Sequence, residues 1–319
     1  MKTKFNIDFI KNTKTYFIIS SAIILAGILF SFILGVKMDI EFSGGTIFSY
    51  IYEGNIDINE FQANVRDGLG GMDVKVTSGT DFMTGKNTFR VELVSREGIN
   101  SDIQYELSQK LDEIYSENNL EVTESSDVSP TSGREFFLKC LVAVIFSSIV
   151  LVIYIAIRFK NIGGWLAGLS AIAALVHDLL IVYATFVFCR MEIDANFMAV
   201  LLTILGYSVN DTIVIYDRIR ENERLYKKDK LSRAELTNLS VNQSLTRSIN
   251  TSVTTIMAML TVTIVCVIFG VDSIVSFSFP VMIGMISGTY SSVCIAGPLW
   301  VLLEGKKDSK KGSLNKKTA

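Results

Sequence analysis

Four cysteines in 319 residues are too few to staple a disulfide scaffold. Neither sign of charge is in excess: 30 Lys and Arg stand against 32 Asp and Glu, a formal net charge of −2. There is thus no basic footprint for a nucleic-acid partner. Histidine occurs once, as His177. No Gly-x-Ser-x-Gly, His-Glu-x-x-His or Cys-x-x-Cys pattern is present, which removes the common hydrolase, zinc-protease and dithiol chemistries. An enzyme is not expected, nor a cofactor or resident metal. What the chain has in quantity is apolar surface: 49% of residues are hydrophobic and the mean hydropathy is +0.39. That excludes disorder and asks whether the apolar residues come in membrane-length runs of about 20.

They do. The first run, Tyr16 to Val36, carries no charge and follows Lys2, Lys4, Lys11 and Lys14. A signal peptide has a similar basic start, but its apolar core is only about 7–15 residues and ends at a small-x-small site. This run is longer and passes into Lys37 and Asp39, so it is read as an uncleaved first transmembrane helix. Further runs at Phe136–Ile157, Gly164–Phe188, Ile193–Tyr216, Asn250–Gly270 and Ile274–Leu303 bring the expected number of spans to six. Lysines and arginines place the ends. The N-terminal lysines, Arg158 and Lys160, the Arg218–Arg233 loop and the Lys306–Lys317 tail share one side, so both termini are expected to be cytoplasmic. Topology retention accounts for the tail without a nucleic-acid or ribosome contact.

Between the first two spans lies an acidic insert of about 95 residues, enough for its own core. Thr46–Tyr52 is β-branched and aromatic and reads as a strand. Asp57-Ile-Asn-Glu60 resembles a capping box opening a helix with Phe61, Val65 and Leu69 on one face. Val74–Thr77 and Thr88–Val94 alternate as two strands, and Ser101 opens a second helix with Ile103, Leu107, Leu111 and Ile114 inward. Leu120–Thr123 closes the set. The order β-α-β-β-α-β predicts a small α+β ferredoxin-like domain. The expected division is therefore residues 1–36, 37–135, 136–303 and a basic tail at 304–319. Gly79 to Asn87 looks like a phosphate loop but has one spacer too many and Asn in place of Ser/Thr, so nucleotide binding is not expected.

Ionisable residues inside apolar helices cost roughly 2.5–3.5 kcal/mol each on insertion scales and call for a functional explanation. The third span carries His177-Asp178, the fourth Tyr207-Ser208-Val-Asn210-Asp211, and the fifth opens with Gln243, Thr246, Arg247, Asn250 and Thr251. Asp211 lies about 7 residues, or about 10 Å of helix, from Arg218. Arg247 enters the next helix from the same side, so the two charges reach similar depth. Tyr207 and Ser208 fall on the Asp211 face and extend a polar relay, with Asn210, His177 and Asp178 as further members. Desolvation favours the protonated carboxyl and a nearby guanidinium the ionised one. A pair whose separation changes therefore takes up and releases a proton. A fixed polar clamp between helices accounts for the same residues, and His177-Asp178 by itself favours that structural role. Gly284-Met-Ile-Ser-Gly288, with Ser291, Ser292 and Ala296, reads as a small-residue packing surface, and Pro280 and Pro298 fall near the ends of that span.

The segment Gly206-Tyr-Ser-Val-Asn-Asp-Thr-Ile-Val-Ile-Tyr-Asp-Arg-Ile-Arg-Glu-Asn222 is very similar to the fourth-span signature of the SecF family of protein translocase subunits, within the resistance-nodulation-division superfamily. Asp39-Ile-Glu-Phe-Ser-Gly-Gly-Thr46, His177-Asp178, Ser244-Leu-Thr-Arg-Ser-Ile-Asn-Thr-Ser252 and the topology agree with it over nearly the whole chain. In the Asp39, Gly44, Gly45 turn the family more often has Gly-Ile-Asp-Phe. The resemblance implies a bacterial cytoplasmic-membrane auxiliary that pairs with SecD and assists the SecYEG channel. It implies use of the proton or sodium motive force for late preprotein translocation and release, with Asp211 and Arg247 as the ion-responsive pair. YajC or a YidC-type insertase is a further implied partner. Half of a small-molecule or lipid exporter is the competing reading, and a non-conducting assembly subunit is a third; one insert and six spans argue against an exporter.

Overall fold

The computed structural model describes residues 7–80, 85–93, 101–227, 231–269 and 271–305. The Lys306–Lys317 tail, Lys2 and Lys4 lie outside them, as do residues 81–84 within the phosphate-loop look-alike. Nine α-helices and four strands make up the described residues, and six of the helices are long and apolar enough to cross a membrane. They are α1 (Thr13–Leu34), α5 (Pro130–Arg158), α6 (Gly164–Phe188), α7 (Ala195–Leu225), α8 (Arg233–Phe269) and α9 (Asp272–Ser291). The last continues through a π turn, Ser292–Ala296, to Gly305. The shorter α2 (Ile40–Ser43), α3 (Ile58–Gly68) and α4 (Ser101–Ile114) lie between α1 and α5. By contacts the chain forms two compact units, Met38–Leu141 with Glu192–Ala195, and the remainder.

In the helical unit the expected spans are found, but α7 and α8 run well past their apolar parts. At 31 and 37 residues they measure about 46 and 55 Å, beyond the roughly 30 Å of a hydrocarbon core. Side-chain amides tie these polar extensions together. Asn222 Nδ2 donates to Ser240 Oγ at 2.9 Å and to Gln243 Oε1 at 2.8 Å, and Arg218 Nε donates to the same Gln243 oxygen at 2.6 Å. Pro280 is interior to α9 rather than near its end, and Pro298 follows the π turn after Gly297. A proline has no N–H for the carbonyl four residues back; at Pro298 that carbonyl is Cys294, inside the locally widened register. Gly284 and Gly288 bring α9 against its neighbours. A Cβ on Gly284 would fall 2.6 Å from Ile204 Cδ1, and one on Gly288 3.1 Å from Ser208 Cβ.

The inserted unit has β1 (Gly45–Tyr52), β2 (Val74–Thr80), β3 (Asn87–Leu93) and β4 (Glu121–Val128) in the order β2-β3-β1-β4, all neighbours antiparallel. This is the ferredoxin-like order. Its core gathers Phe48, Tyr50, Phe61, Val65, Phe89, Val91, Leu107 and Leu111, with Phe61 stacked on Phe89 at 4.3 Å between centroids. Asp57 caps α3 by accepting from the Asn59 and Glu60 backbone N–H groups at 2.8 and 3.2 Å. On α4 the inward face differs from expectation. Leu107 and Leu111 are buried together with Tyr115, whereas Ile103 and Ile114 remain 36% and 44% exposed. Tyr115 lies four residues beyond Leu111, so the helical repeat carries the buried stripe onto an aromatic rather than onto Ile114.

The Asp39, Gly44, Gly45 turn enters β1. Asp39 caps α2 through Glu41 N–H at 2.8 Å, and Gly44 adopts φ +83°, where a Cβ would lie 2.6 Å from Pro130 Cα. A Cβ on Gly45 would collide with the Leu93 carbonyl oxygen. These glycines are requirements of the backbone.

Candidate functional site

Among the described residues of the helical unit, Asp178 on α6 is the most completely enclosed charge-bearing side chain, at 0% exposure. Four groups converge on it. Ser208 Oγ of α7 and Ser291 Oγ of α9 donate to Oδ2 at 2.6 and 2.7 Å. Ser287 Oγ donates to Oδ1 at 2.6 Å, and His177 Nδ1 lies 3.0 Å from the same oxygen. Although i and i+1 diverge by about 100° on a helix, the His177 ring turns back onto its neighbour. A carboxyl placed here without partners would cost several kcal/mol. The three serines and His177 supply those partners, Ser287 and Ser291 from positions one helical turn apart.

Asp211 is also buried, at 3% exposure, but its surroundings are sparser. Thr289 Oγ1 donates to its Oδ2 at 3.4 Å, Thr289 and Ser252 share a hydrogen bond at 2.6 Å, and Tyr207 OH donates to Ser252 Oγ at 3.1 Å. A polar chain thus runs from Tyr207 on α7 through α8 and α9 back to Asp211. Thr212 joins Ser292 at 2.9 Å, and Ser292 donates to the Ser208 carbonyl at 3.3 Å. The backbone of α7 therefore links this chain to the Asp178 cluster. The π turn of α9 begins at Ser292.

Arg247 stands within electrostatic reach of Asp211 but is not ion-paired to it. The ion-paired arginines among the described residues are Arg90, Arg158, Arg218, Arg220 and Arg233. Instead Arg247 and Asn210 line a cavity of about 810 Å³ between α7 and α8 that continues along α7 to Leu225. In this arrangement the two charges are apart. Of the polar relay, Tyr207 reaches Asp211 through Ser252 and Thr289. Ser208 serves Asp178 instead, and Asn210 faces the cavity.

The hydroxyls Ser252, Ser287, Thr289, Ser291 and Ser292 serve the two aspartates or the chain that links them, a role that their place in a small-residue surface and a family motif does not reveal. A sharper signal was available: hydroxyls at i and i+4 in a span opposite another span that carries Asp.

In the inserted unit, Asp39, Glu92 and Glu192 form the one group of carboxylates among the described residues close enough to share a metal ion, within 4.8 Å of one another. Cations already serve it. Lys75 pairs with Glu192 at 2.5 Å and with Glu92 at 3.4 Å, and Arg90 pairs with Glu92 at 2.9 Å. Desolvation alone would lower the Lys75 ammonium, but the two glutamates outweigh it and hold its pKa above the usual value. Nearby Glu41 is pushed up, first by burial and then by the charges of Asp39 and Asp194; its carboxylate accepts the Ala195 N–H at 3.2 Å.

The profile described as protein export membrane protein SecD/SecF, C-terminal, matches residues 107–306. The chain belongs to the SecD/SecF protein-export membrane protein family. It is 35% identical to the protein translocase subunit SecF of Calditerrivibrio nitroreducens, over 95% of this chain and 96% of that one. Against the protein translocase subunit SecDF of Bacillus subtilis it is 34% identical over 95% of its own length, spanning 39% of that longer protein. A crystal structure of SecDF from Thermus thermophilus, described as a translocon-associated membrane protein, superposes with a TM-score of 0.76 at 28% identity. That match covers 96% of this chain and 40% of the other. This SecD/SecF member is thus similar over nearly its full length to separate SecF subunits, and to less than half of the fused SecDF chains.

Proposed function

We propose that the chain is the SecF-type half of an ion-driven auxiliary of the Sec translocon, working with a SecD-type partner to complete preprotein translocation and release. Its coupling ion is the proton, or sodium in its place. Support for a SecD-type partner comes from relatives in which a segment similar to this chain is fused into a longer SecDF protein. Contact with SecYEG, with the translocating preprotein and with YajC or a YidC-type insertase follows from the same reading. The family's setting is a bacterial cytoplasmic membrane. The lysine and arginine distribution orients both termini to the cytoplasm and the ferredoxin-like domain to the outside. The division into residues 1–36, 37–135, 136–303 and 304–319 is kept as the functional one.

One observation carries the coupling role. Asp211 is a buried carboxyl served by a single long hydrogen bond and a polar chain, with a mobile-length arginine nearby that is not committed to it. Such a group can exchange its charge state with the position of Arg247, whereas a clamp would already be closed. Each elementary charge carried across the membrane supplies about 2.3 kcal/mol per 100 mV. Asp178, held by three serines and His177, is the fixed pole against which the Asp211 side of α7 moves.

The test is Asp211→Asn, nearly isosteric and unable to titrate, reconstituted with the SecD-type partner and the channel. Loss of force-stimulated late export with assembly intact supports coupling. Export that remains force-stimulated makes the residue a clamp and the chain a scaffold.

A further inference from the structure

The cavity between α7 and α8 holds more positive charge than its own carboxylates answer. Arg218, Arg220, Arg224 and Arg247 line it, against Asp217 and Glu221. Arg218 pairs with Glu221 at 2.6 Å; Arg220 pairs with Asp217 at 2.7 Å, which also takes Arg158 at 3.3 Å. Arg224 and Arg247 have no ion pair among the described residues. The position of the arginines along their helices is informative. Arg218 lies 23 residues after the first residue of α7, about 35 Å along the axis and past a hydrocarbon core of roughly 30 Å. Arg247 precedes the mostly apolar stretch of α8 that begins near Val253. Arg218, Arg220 and Arg224 therefore stand at or beyond the headgroup level, and Arg247 lies deeper, on a wall that also includes Ile213 and Val214.

We propose that this cavity binds the phosphate headgroup of an anionic phospholipid. Guanidinium forks match phosphate oxygens with two parallel hydrogen bonds, and basic pockets between membrane helices are suited to anionic headgroups. Its volume of about 810 Å³ is in the usual range of roughly 300–1,000 Å³ for small-ligand sites. Free phosphate would satisfy the arginines but leave the Ile213–Val214 wall unused. An acidic segment of a partner protein would meet the same arginines, yet the apolar Ile213–Val214 wall on their membrane side favours a molecule with both a phosphate and an acyl chain. The bound lipid would bridge α7 and α8 at the level of Arg247, making the coupling region sensitive to membrane charge.

The experiment uses the full chain assembled with its partner subunit in detergent, titrated with phosphatidylglycerol, phosphatidylcholine or inorganic phosphate, with binding read by native mass spectrometry and by thermal shift. Arg224→Gln is the variant. Arg224 is exposed and outside the coupling pair, so folding does not depend on it. We expect phosphatidylglycerol to bind at least tenfold more tightly than phosphatidylcholine. Arg224→Gln should reduce that affinity about tenfold, and Lys11→Gln should leave it unchanged. Equal binding of the two lipids, equal protection by inorganic phosphate, or an unaffected Arg224→Gln protein would each overturn the assignment. Absence of lipid binding in the assembled pair would do the same and give the cavity to a partner's acidic segment.

Discussion

Replacing Ser291 by alanine removes one of the two hydroxyls that serve Asp178 Oδ2, leaving Ser208 at 2.6 Å on that oxygen. A hydrogen bond to a charged group contributes roughly 1.5–3 kcal/mol in water-soluble proteins. Within membrane bundles the unfolded reference also finds partners, and measured values average roughly 0.6 with a maximum near 1.7 kcal/mol. Because Ser291 and Asp178 are both at 0% exposure, no solvent replaces the lost donor. The upper part of that range applies, and we expect a loss of about 1.5 kcal/mol. Ser292→Ala, one position on, breaks only neutral contacts with Thr212 and the Ser208 carbonyl and should cost about 0.5 kcal/mol. Reversible unfolding in mixed micelles with increasing dodecyl sulfate measures both. The comparison is then repeated in an Asp178→Asn background, where the Ser291→Ala cost should fall towards the Ser292→Ala value. Equal costs for the two serines in the native background, or an unchanged Ser291 cost without the carboxylate, would refute the account of Asp178 as the hub of the bundle.

Gly284→Val should destabilise the bundle by about 1–3 kcal/mol in the same assay, since the added Cβ would lie 2.6 Å from Ile204 Cδ1 and 2.9 Å from Val182 Cγ2; a neutral result would mean that α9 sits further from α6 and α7 than described. In the inserted unit, Glu41 has a raised pKa. Its contribution to stability is therefore present at pH below the ordinary carboxylate range and is lost as pH rises through its elevated value. Glu41→Gln should remove that pH-dependent loss, which hydrogen exchange of β1 amides between pH 4 and 8 measures after correction for intrinsic rates. An unchanged pH slope would show that Glu41 is not desolvated.

Much of the fold was legible because it rests on local pattern. Runs of about 20 apolar residues mark spans regardless of what surrounds them. Alternation in Thr46–Tyr52 and the side-chain cap at Asp57 are local signals of strand and helix. The α4 face was misjudged at Ile103 and Ile114 because propensity and spacing count apolar residues without knowing which of them the sheet covers. The polar ends of α7 and α8 were missed for the opposite reason. Asn222, Ser240 and Gln243 bond across the two helices there, a pairing that no window on one helix contains.

The candidate site divides in the same way. Asp178, Asp211 and Arg247 were legible in the sequence alone, since a charge inside an apolar run stands out wherever the run is placed. What each charge touches was decided only by tertiary packing. Gly288 lets α9 approach Ser208, and that approach sets Ser287 and Ser291 on Asp178 and Thr289 on Asp211. A hydroxyl in a span satisfies itself on its own backbone or on another helix, and the sequence does not distinguish the two. Only the distance between helices does.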